Sequence, residues 1–271
     1  MRLSMPMVVQ WLKAYNPVAT IRSSMATIMG VRHLNNDRDP EPDYIYVGKI
    51  SDLFPGSVSS EVVLVHRQDV VSLKTAALEE VFDCVSDALV YYQNWEDALM
   101  SVVRRKDPFQ FLIDACEILL GTMFFVNTRL QITAVSQSVD RETVESVWKS
   151  FWEKERWRCE ISEETEDLFF AGVFEKVWEK PLQLSDTQLG EFPFACILSQ
   201  TDSQGYLLGQ MIWLQKKKTE QYQQPLLVVL ARALEYNGLY ADAEAHFSVE
   251  KSLLREILES KEPKEEQKQL L

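Results

Sequence analysis

Residues 121–136 read G-T-M-F-F-V-N-T-R-L-Q-I-T-A-V-S, and the fold is decided here. The glycine follows an amphipathic segment, residues 108–120, and suits the position just past a helix end, where a left-handed backbone is needed. Residues 123–126 and 132–135 are short runs of aromatic and β-branched side chains. Asn127-Thr128-Arg129 lies between them as a turn, so the stretch predicts a hairpin. A helix running straight into a hairpin excludes an all-helical bundle and points to an α+β fold.

Working outward toward the C-terminus, residues 141–155 and 166–179 carry helical spacing and are rich in aromatics. Strands return at 192–199 and 206–215, joined by T-D-S-Q-G, a turn signal. Residues 220–258 read as helix, with a break at Gly238, and the charged tail beyond has little to bury. The second half is therefore helix, hairpin, two helices, hairpin, helix: an antiparallel sheet with helices on it.

Toward the N-terminus, a short helix over residues 3–15 stops before Asn16-Pro17. Strands are expected at 28–34, at 44–49 (Y-I-Y-V-G-K, which alternates), at 61–66 and at 70–74. The polar run N-N-D-R-D-P-E-P-D, residues 35–43, connects two of them as a loop. A long helix over 75–106 follows, with Leu78, Val81, Val85, Leu89, Tyr92, Trp95, Leu99 and Val102 at steps of three and four, and Asp107-Pro108 ends it. The expected organisation is a small N-terminal α/β domain over 1–107, a sensor-like antiparallel-sheet domain over 108–245, and an output or dimerisation helix with a loose tail over 246–271. No internal repeat is present.

Composition narrows the function. The 41 acidic against 28 basic residues give a net charge of −13, which repels phosphate backbones and anionic lipid. No nucleic-acid or membrane partner is expected for this chain. Cys84, Cys116 and Cys196 sit in apolar stretches and read as reduced core residues, and Cys159 as an exposed, inert thiol. With no signal-peptide pattern and no run of 18 apolar residues, the expected location is cytoplasmic.

Chemistry is hard to find. The three histidines, His33, His66 and His246, share no element at ligand spacing, so no metal is expected. Phosphate-cradling glycine loops, a G-x-S-x-G elbow and H-E-x-x-H are all missing from the sequence. Gly205 and Gly209 frame G-x-x-x-G within a strand pair, where small residues permit turning or close backbone approach. Glu163-Glu164 and Glu166-Asp167 open a helix, where negative charge meets the positive end of the dipole. Neither an enzyme nor a cofactor is expected.

Aromatic residues are the one unusual concentration. Trp148 and Trp152 lie four apart, as do Phe170 and Phe174, and Trp178 continues the row. With Phe124, Phe125, Phe192, Phe194 and Tyr206 they either fill a core or line a pocket between sheet and helices, and sequence does not separate the two. The pocket reading takes Phe125, Trp152, Phe170, Phe174, Tyr206 and Gln210 as its lining, with Ser199 and Asn127 as further polar groups. In the C-terminal helix Phe247, Leu254 and Leu258 recur at steps of seven and four, a stripe suited either to packing back onto its own domain or, the reading preferred here, to pairing with a second copy's helix as a homodimer.

The order of parts resembles a known family. Y-I-Y-V-G-K-I-S-D-L-F-P (Tyr44 to Pro55), V-V-L-V-H-R (Val62 to Arg67) and D-V-V-S-L (Asp69 to Leu73) lie in the first half. F-V-N-T-R-L-Q-I-T-A-V-S (Phe125 to Ser136), Q-G-Y-L-L-G-Q-M (Gln204 to Met211) and F-S-V-E-K-S-L-L-R-E-I-L-E-S-K (Phe247 to Lys261) lie in the second. Together these resemble the N-terminal sensory region of bacterial transcription regulators of the PucR/CdaR type. The resemblance implies a GAF- or PAS-like domain that binds a small-molecule effector and signals through a C-terminal helix. Those regulators end in a helix-turn-helix, which this sequence lacks, so either that part belongs to a longer chain or regulation proceeds without touching DNA. The alternative is a protein–protein adaptor or dimerisation module with no small-molecule site.

Overall fold

The alternating stretch Tyr44–Lys49 (β3) buries Ile45 and Val47 on one side and leaves Tyr44 and Tyr46 half-exposed on the other. A computed structural model describes residues 1–34, 40–54, 59–74, 77–127, 131–146, 148–149, 182–184, 194–201, 207–217 and 220–238. The chain divides into two compact units. Unit 1 comprises Met1–Ser101, Ala115–Gly121 and Gln215–Leu230; unit 2 comprises Val102–Asp114, Thr122–Leu214 and Ala231–Leu271.

In unit 1 the helix Met5–Trp11 (α1) is followed by the strands Val18–Thr20 (β1) and Gly30–His33 (β2), then β3 and the short helix Ile50–Leu53 (α2). Val62–His66 (β4) and Asp69–Leu73 (β5) complete a five-stranded sheet of order β1-β5-β4-β3-β2, in which only β2 and β3 run parallel. The β4–β5 connection has two residues, and Arg67 takes φ 55° there, as tight hairpin turns demand. That backbone is unfavourable for an L side chain, and two contacts hold it: Arg67 Nε donates to Pro42 O at 2.9 Å, and its guanidinium pairs with Asp43 at 3.6 Å.

The helix Leu78–Met100 (α3) packs on this sheet through Val81, Val85, Ala88, Tyr92, Trp95 and Leu99, buried at alternating steps of four and three. It ends six residues earlier than the periodicity predicts, because Ser101 caps it and a 3₁₀ turn, Val102–Arg104, follows. Asp107 and Pro108 then start the helix Pro108–Leu120 (α4), with the Asp107 carboxylate accepting from the Gln110 N–H at 3.3 Å and proline in the first turn, where no N–H is needed. Gly121 takes φ 91°, and its N–H closes α4 on Glu117 O at 2.8 Å.

Unit 2 is built on a second five-stranded sheet. Its strands are Met123–Asn127 (β6), Ile132–Val135 (β7), Leu182–Leu184 (β8), Phe194–Thr201 (β9) and Leu207–Gln215 (β10), in the order β7-β6-β10-β9-β8. The expected hairpin is β6–β7, and β6 also pairs antiparallel with β10. Strand β8 was not foreseen, since three residues after Pro181 carry too little pattern. Residues 141–146 and 148–149 are helical, capped by Asp140, which accepts from Thr143 N–H at 3.1 Å. Residues 224–238 are helical too. Within unit 2, buried Gln200 of β9 donates to Leu234 O at 3.2 Å and Asn237 Oδ1 at 2.8 Å, tying the strand to residues 231–238. No helix among the described residues is long and apolar enough to cross a membrane.

Candidate functional site

Register decides which side chains of the second sheet meet. Met211 stands opposite Phe125, and Gly209 opposite Asn127, so these four share one face. Gln210 stands opposite Val126, and Ile212 opposite Phe124, so these share the other. Phe125 and Gln210, both expected in one pocket, therefore lie on opposite faces of the sheet and cannot line the same cavity.

The Phe125 face is filled at that residue. Its ring, 1% exposed, stacks on Phe109 with centroids 3.7 Å apart and planes 7° off parallel. On the sheet side it lies over Gly209, where an added Cβ would overlap the ring and the Val126 carbonyl. The close approach expected of this glycine is real, and the Phe125 ring is packed between it and Phe109.

The Gln210 face is different. Phe124, Val126, Ile212 and Leu214 pack there with Ile132 of β7 and with Val144 and Trp148 of the covering helix. Trp148 meets Phe124 edge-on, with centroids 5.6 Å apart. Gln210, 4% exposed, sits in this apolar layer, and its Nε2 finds no hydrogen-bond partner among the described residues. Such a donor costs about 1–3 kcal/mol.

A cleft of about 760 Å³ opens at the β7 side of this face. Gln131, Ile132 and Thr133 form one wall. Arg141, Glu145, Trp148 and Lys149, which recur on one side of the helix, form the other. Thr133 is the extra residue of a β-bulge, since Phe125 faces Ala134 while Val126 faces Ile132. Arg141 bridges the walls: Nη2 donates to Ile132 O at 2.7 Å and Nε to Glu145 Oε1 at 2.8 Å. The row Gln210–Val126–Ile132 crosses β10, β6 and β7 on the same face. Strands lie about 4.8 Å apart, which puts the Gln210 backbone roughly 10 Å from that of Ile132 at the cleft wall.

Outside the cleft, both described histidines are engaged. His66 is buried, with Nδ1 3.0 Å from Tyr44 O and Nε2 2.9 Å from Thr27 Oγ1. A carbonyl only accepts, so Nδ1 carries the proton and Nε2 accepts from the threonine hydroxyl. His33 stacks on Phe82 with centroids 4.2 Å apart. Burial raises the thiol pKa of Cys116 far above its usual value. No group of three or more His, Cys, Asp or Glu is placed to hold a metal among the described residues.

Of the residues singled out in sequence, Trp152, Phe170, Phe174 and Tyr206 lie outside the described residues, as do Phe247, Leu254 and Leu258. Asn127 is spent within its own hairpin, its amide donating to Gln131 Oε1 at 3.2 Å and its Oδ1 accepting from Gln131 N–H at 3.0 Å. Arg141, Glu145 and Lys149 line the cleft without belonging to the aromatic concentration. Their steps of four, on the side of the helix that carries Trp148, were the available signal. No protein family matches the chain, and neither a curated protein nor a solved structure matches it.

Proposed function

We propose that this chain is a ligand-sensing regulatory region, of the kind found in PucR/CdaR-type transcription regulators, with unit 2 as a GAF- or PAS-like effector domain. A small molecule enters on the helix-covered face of the second sheet. The signal leaves through the C-terminal segment, where Phe247, Leu254 and Leu258 pair two copies.

The observation that carries the reading is the Gln210 amide. An apolar side chain would pack at this position without a stranded donor, whereas a glutamine becomes favourable when a ligand supplies an acceptor. A cleft of about 760 Å³, the size of a small-molecule site, opens on the same face, with its wall residue Ile132 two strands away from Gln210, and sets Ile132 and Trp148 among the polar Gln131, Thr133, Arg141, Glu145 and Lys149. Occupancy shifts a regulatory equilibrium only if the two arrangements bind the ligand unequally.

The test is a thermal-shift screen of metabolites on the wild-type chain and on Gln210→Leu. Ligand at a hundred times its Kd adds about 2.7 kcal/mol, a readily measured rise in Tm. A hit that shifts wild type and leaves Gln210→Leu unmoved supports the reading. A screen without hits, or hits indifferent to Gln210→Leu, overturns it in favour of an adaptor. Deleting residues 247–271 tests the output: light scattering should then show a monomer, and a persisting dimer removes helix pairing.

A further inference from the structure

The first sheet has one covered face and one open face, and register separates them. Ile45, Val47, Leu64, Val71 and Leu73 belong to the face under α3, where His33 stacks on Phe82, and all five are fully buried. The other face is read off a single row that crosses all five strands. Arg32 stands opposite Tyr46, Tyr46 opposite Val65, Val65 opposite Val70, and Val70 opposite Thr20. Val70 is 39% exposed, and Val18, two residues before Thr20, is 62% exposed. Val65 and Tyr46 are half-buried. Val63 of the neighbouring row is itself buried, so the open ground is the row through Val70 and Tyr46.

The row holds no carboxylate, although the chain carries 41 acidic residues. Loss of charge together with tyrosine marks the centre of protein interfaces. The one positive charge, at the end of the row, is already paired: Arg32 meets Glu41 and lies over the Tyr44 ring at 3.7 Å. Shape rather than charge therefore selects what covers this face. The row forms a step, with long Arg32 and Tyr46 at the β2–β3 end and short Val70 and Thr20 at the β5–β1 end. A second copy, turned about a two-fold axis parallel to β4, presents the opposite step. Tyr46 of each copy then lies over Val70 of the other, and the two Val65 side chains meet on the axis.

Size fixes how such a contact works. Five strands about 4.8 Å apart, at about 3.3 Å per residue over the six residues of β3, give a face of roughly 500 Å². Two of them bury about 1,000 Å² in all, the lower limit for a specific complex and too little to hold a stable dimer alone. Copies already joined elsewhere bring the two faces together at an effective concentration near the millimolar range, where a weak contact closes.

We infer that in the homodimer the open faces of the two first sheets pack on each other, Tyr46 against Val70. The inference rests on the pairing of copies through Phe247, Leu254 and Leu258. It adds a second, weaker contact, which loss of that pairing releases.

The experiment is hydroxyl-radical footprinting of the whole chain, read by mass spectrometry at Tyr46, beside light scattering for the number of copies. Wild type is compared with Val70→Lys and with Val90→Lys, a control on α3, which covers the opposite face. Both positions are exposed, and circular dichroism checks that each variant folds. Lysine makes the net charge of −13 less negative, so stronger repulsion between copies cannot account for a lost contact. Val70 lies two strands from Tyr46 within one copy, so a change at Tyr46 reports the other copy. All three chains should scatter as dimers, with Tyr46 labelled several-fold faster in Val70→Lys and unchanged in Val90→Lys. Dimers with equal labelling of Tyr46 in wild type and Val70→Lys, or with faster labelling in both variants, overturn the inference and leave the C-terminal pairing standing. A wild type that scatters as a monomer overturns the pairing and this contact with it.

Discussion

Gln110 lies along Val135 as a neighbouring strand would: its Nε2 donates to Val135 O at 2.9 Å, and its Oε1 accepts from Val135 N–H at 3.2 Å. β7 is an edge strand, and exposed edges pair with other chains unless something occupies them. The side chain of α4 blocks one end of the edge, and the Arg141 contact to Ile132 O blocks the other. Asp114 holds the amide in orientation by accepting from Nε2 at 2.9 Å.

Replacing Gln110 by leucine removes both strand-like bonds and leaves the edge open. Water can hydrate the freed groups, so the stability loss should stay near 1 kcal/mol in urea titrations. Self-association is the sharper readout. Sedimentation velocity should show concentration-dependent oligomers for Gln110→Leu and not for wild type, and a variant that stays as monodisperse as wild type would show that the edge needs no guard.

Gly209→Ala should destabilise unit 2 by about 2 kcal/mol, although alanine ordinarily favours a strand over glycine. The methyl group would overlap the Phe125 ring, which cannot retreat because Phe109 stacks on its far side. Phe125→Leu in the same chain should restore part of the loss, giving a coupling of opposite sign in a double-mutant cycle. Additive effects would mean that the ring is free to move.

Alkaline pH offers a test in unit 1. Burial pushes the Tyr92 hydroxyl up to about 12 from 10.0, with Tyr91 and Tyr222 adding smaller contributions. The folded state thus keeps the proton after the unfolded chain has released it. The stability of the neutral form is fully present below pH 10 and is lost as pH rises from 10 toward 12, by roughly 2 kcal/mol. Tyr92→Phe should flatten this part of the urea-midpoint against pH curve relative to wild type. Parallel curves would place the hydroxyl in water.

Much of the fold was legible because its signals are local. Ile45 and Val47 alternate with Tyr44 and Tyr46 within six residues, Asp107-Pro108 and Gly121 bracket α4, and each signal acts on its own neighbours. The parallel pairing of β2 with β3 and the β6–β10 contact at the middle of the second sheet were not legible, since no short turn joins the paired segments and the strand patterns do not name their partners. The candidate site failed for a related reason. Whether Gln210 shares a face with Phe125 depends on register between strands far apart in sequence, and a shift of one residue reverses the answer. For Arg141 the spacing with Glu145 and Lys149 places it on the Trp148 side of the helix, but nothing local distinguishes a surface arginine from one whose guanidinium reaches a strand carbonyl.

At Gln210 the proposed sensing role and stability make opposite demands. With no acceptor for its Nε2 in a layer formed by Val126, Ile212 and Phe124, the ligand-free protein bears the desolvation of that amide. Leucine has a similar reach and no polar atom, so Gln210→Leu should stabilise the ligand-free chain by about 1 kcal/mol, the reverse of most core substitutions. A residue kept for binding at the expense of stability behaves in this way. Differential scanning calorimetry without ligand measures it: a raised Tm fits an amide waiting for an acceptor, whereas a lowered Tm would show that the glutamine already makes its bonds inside the protein.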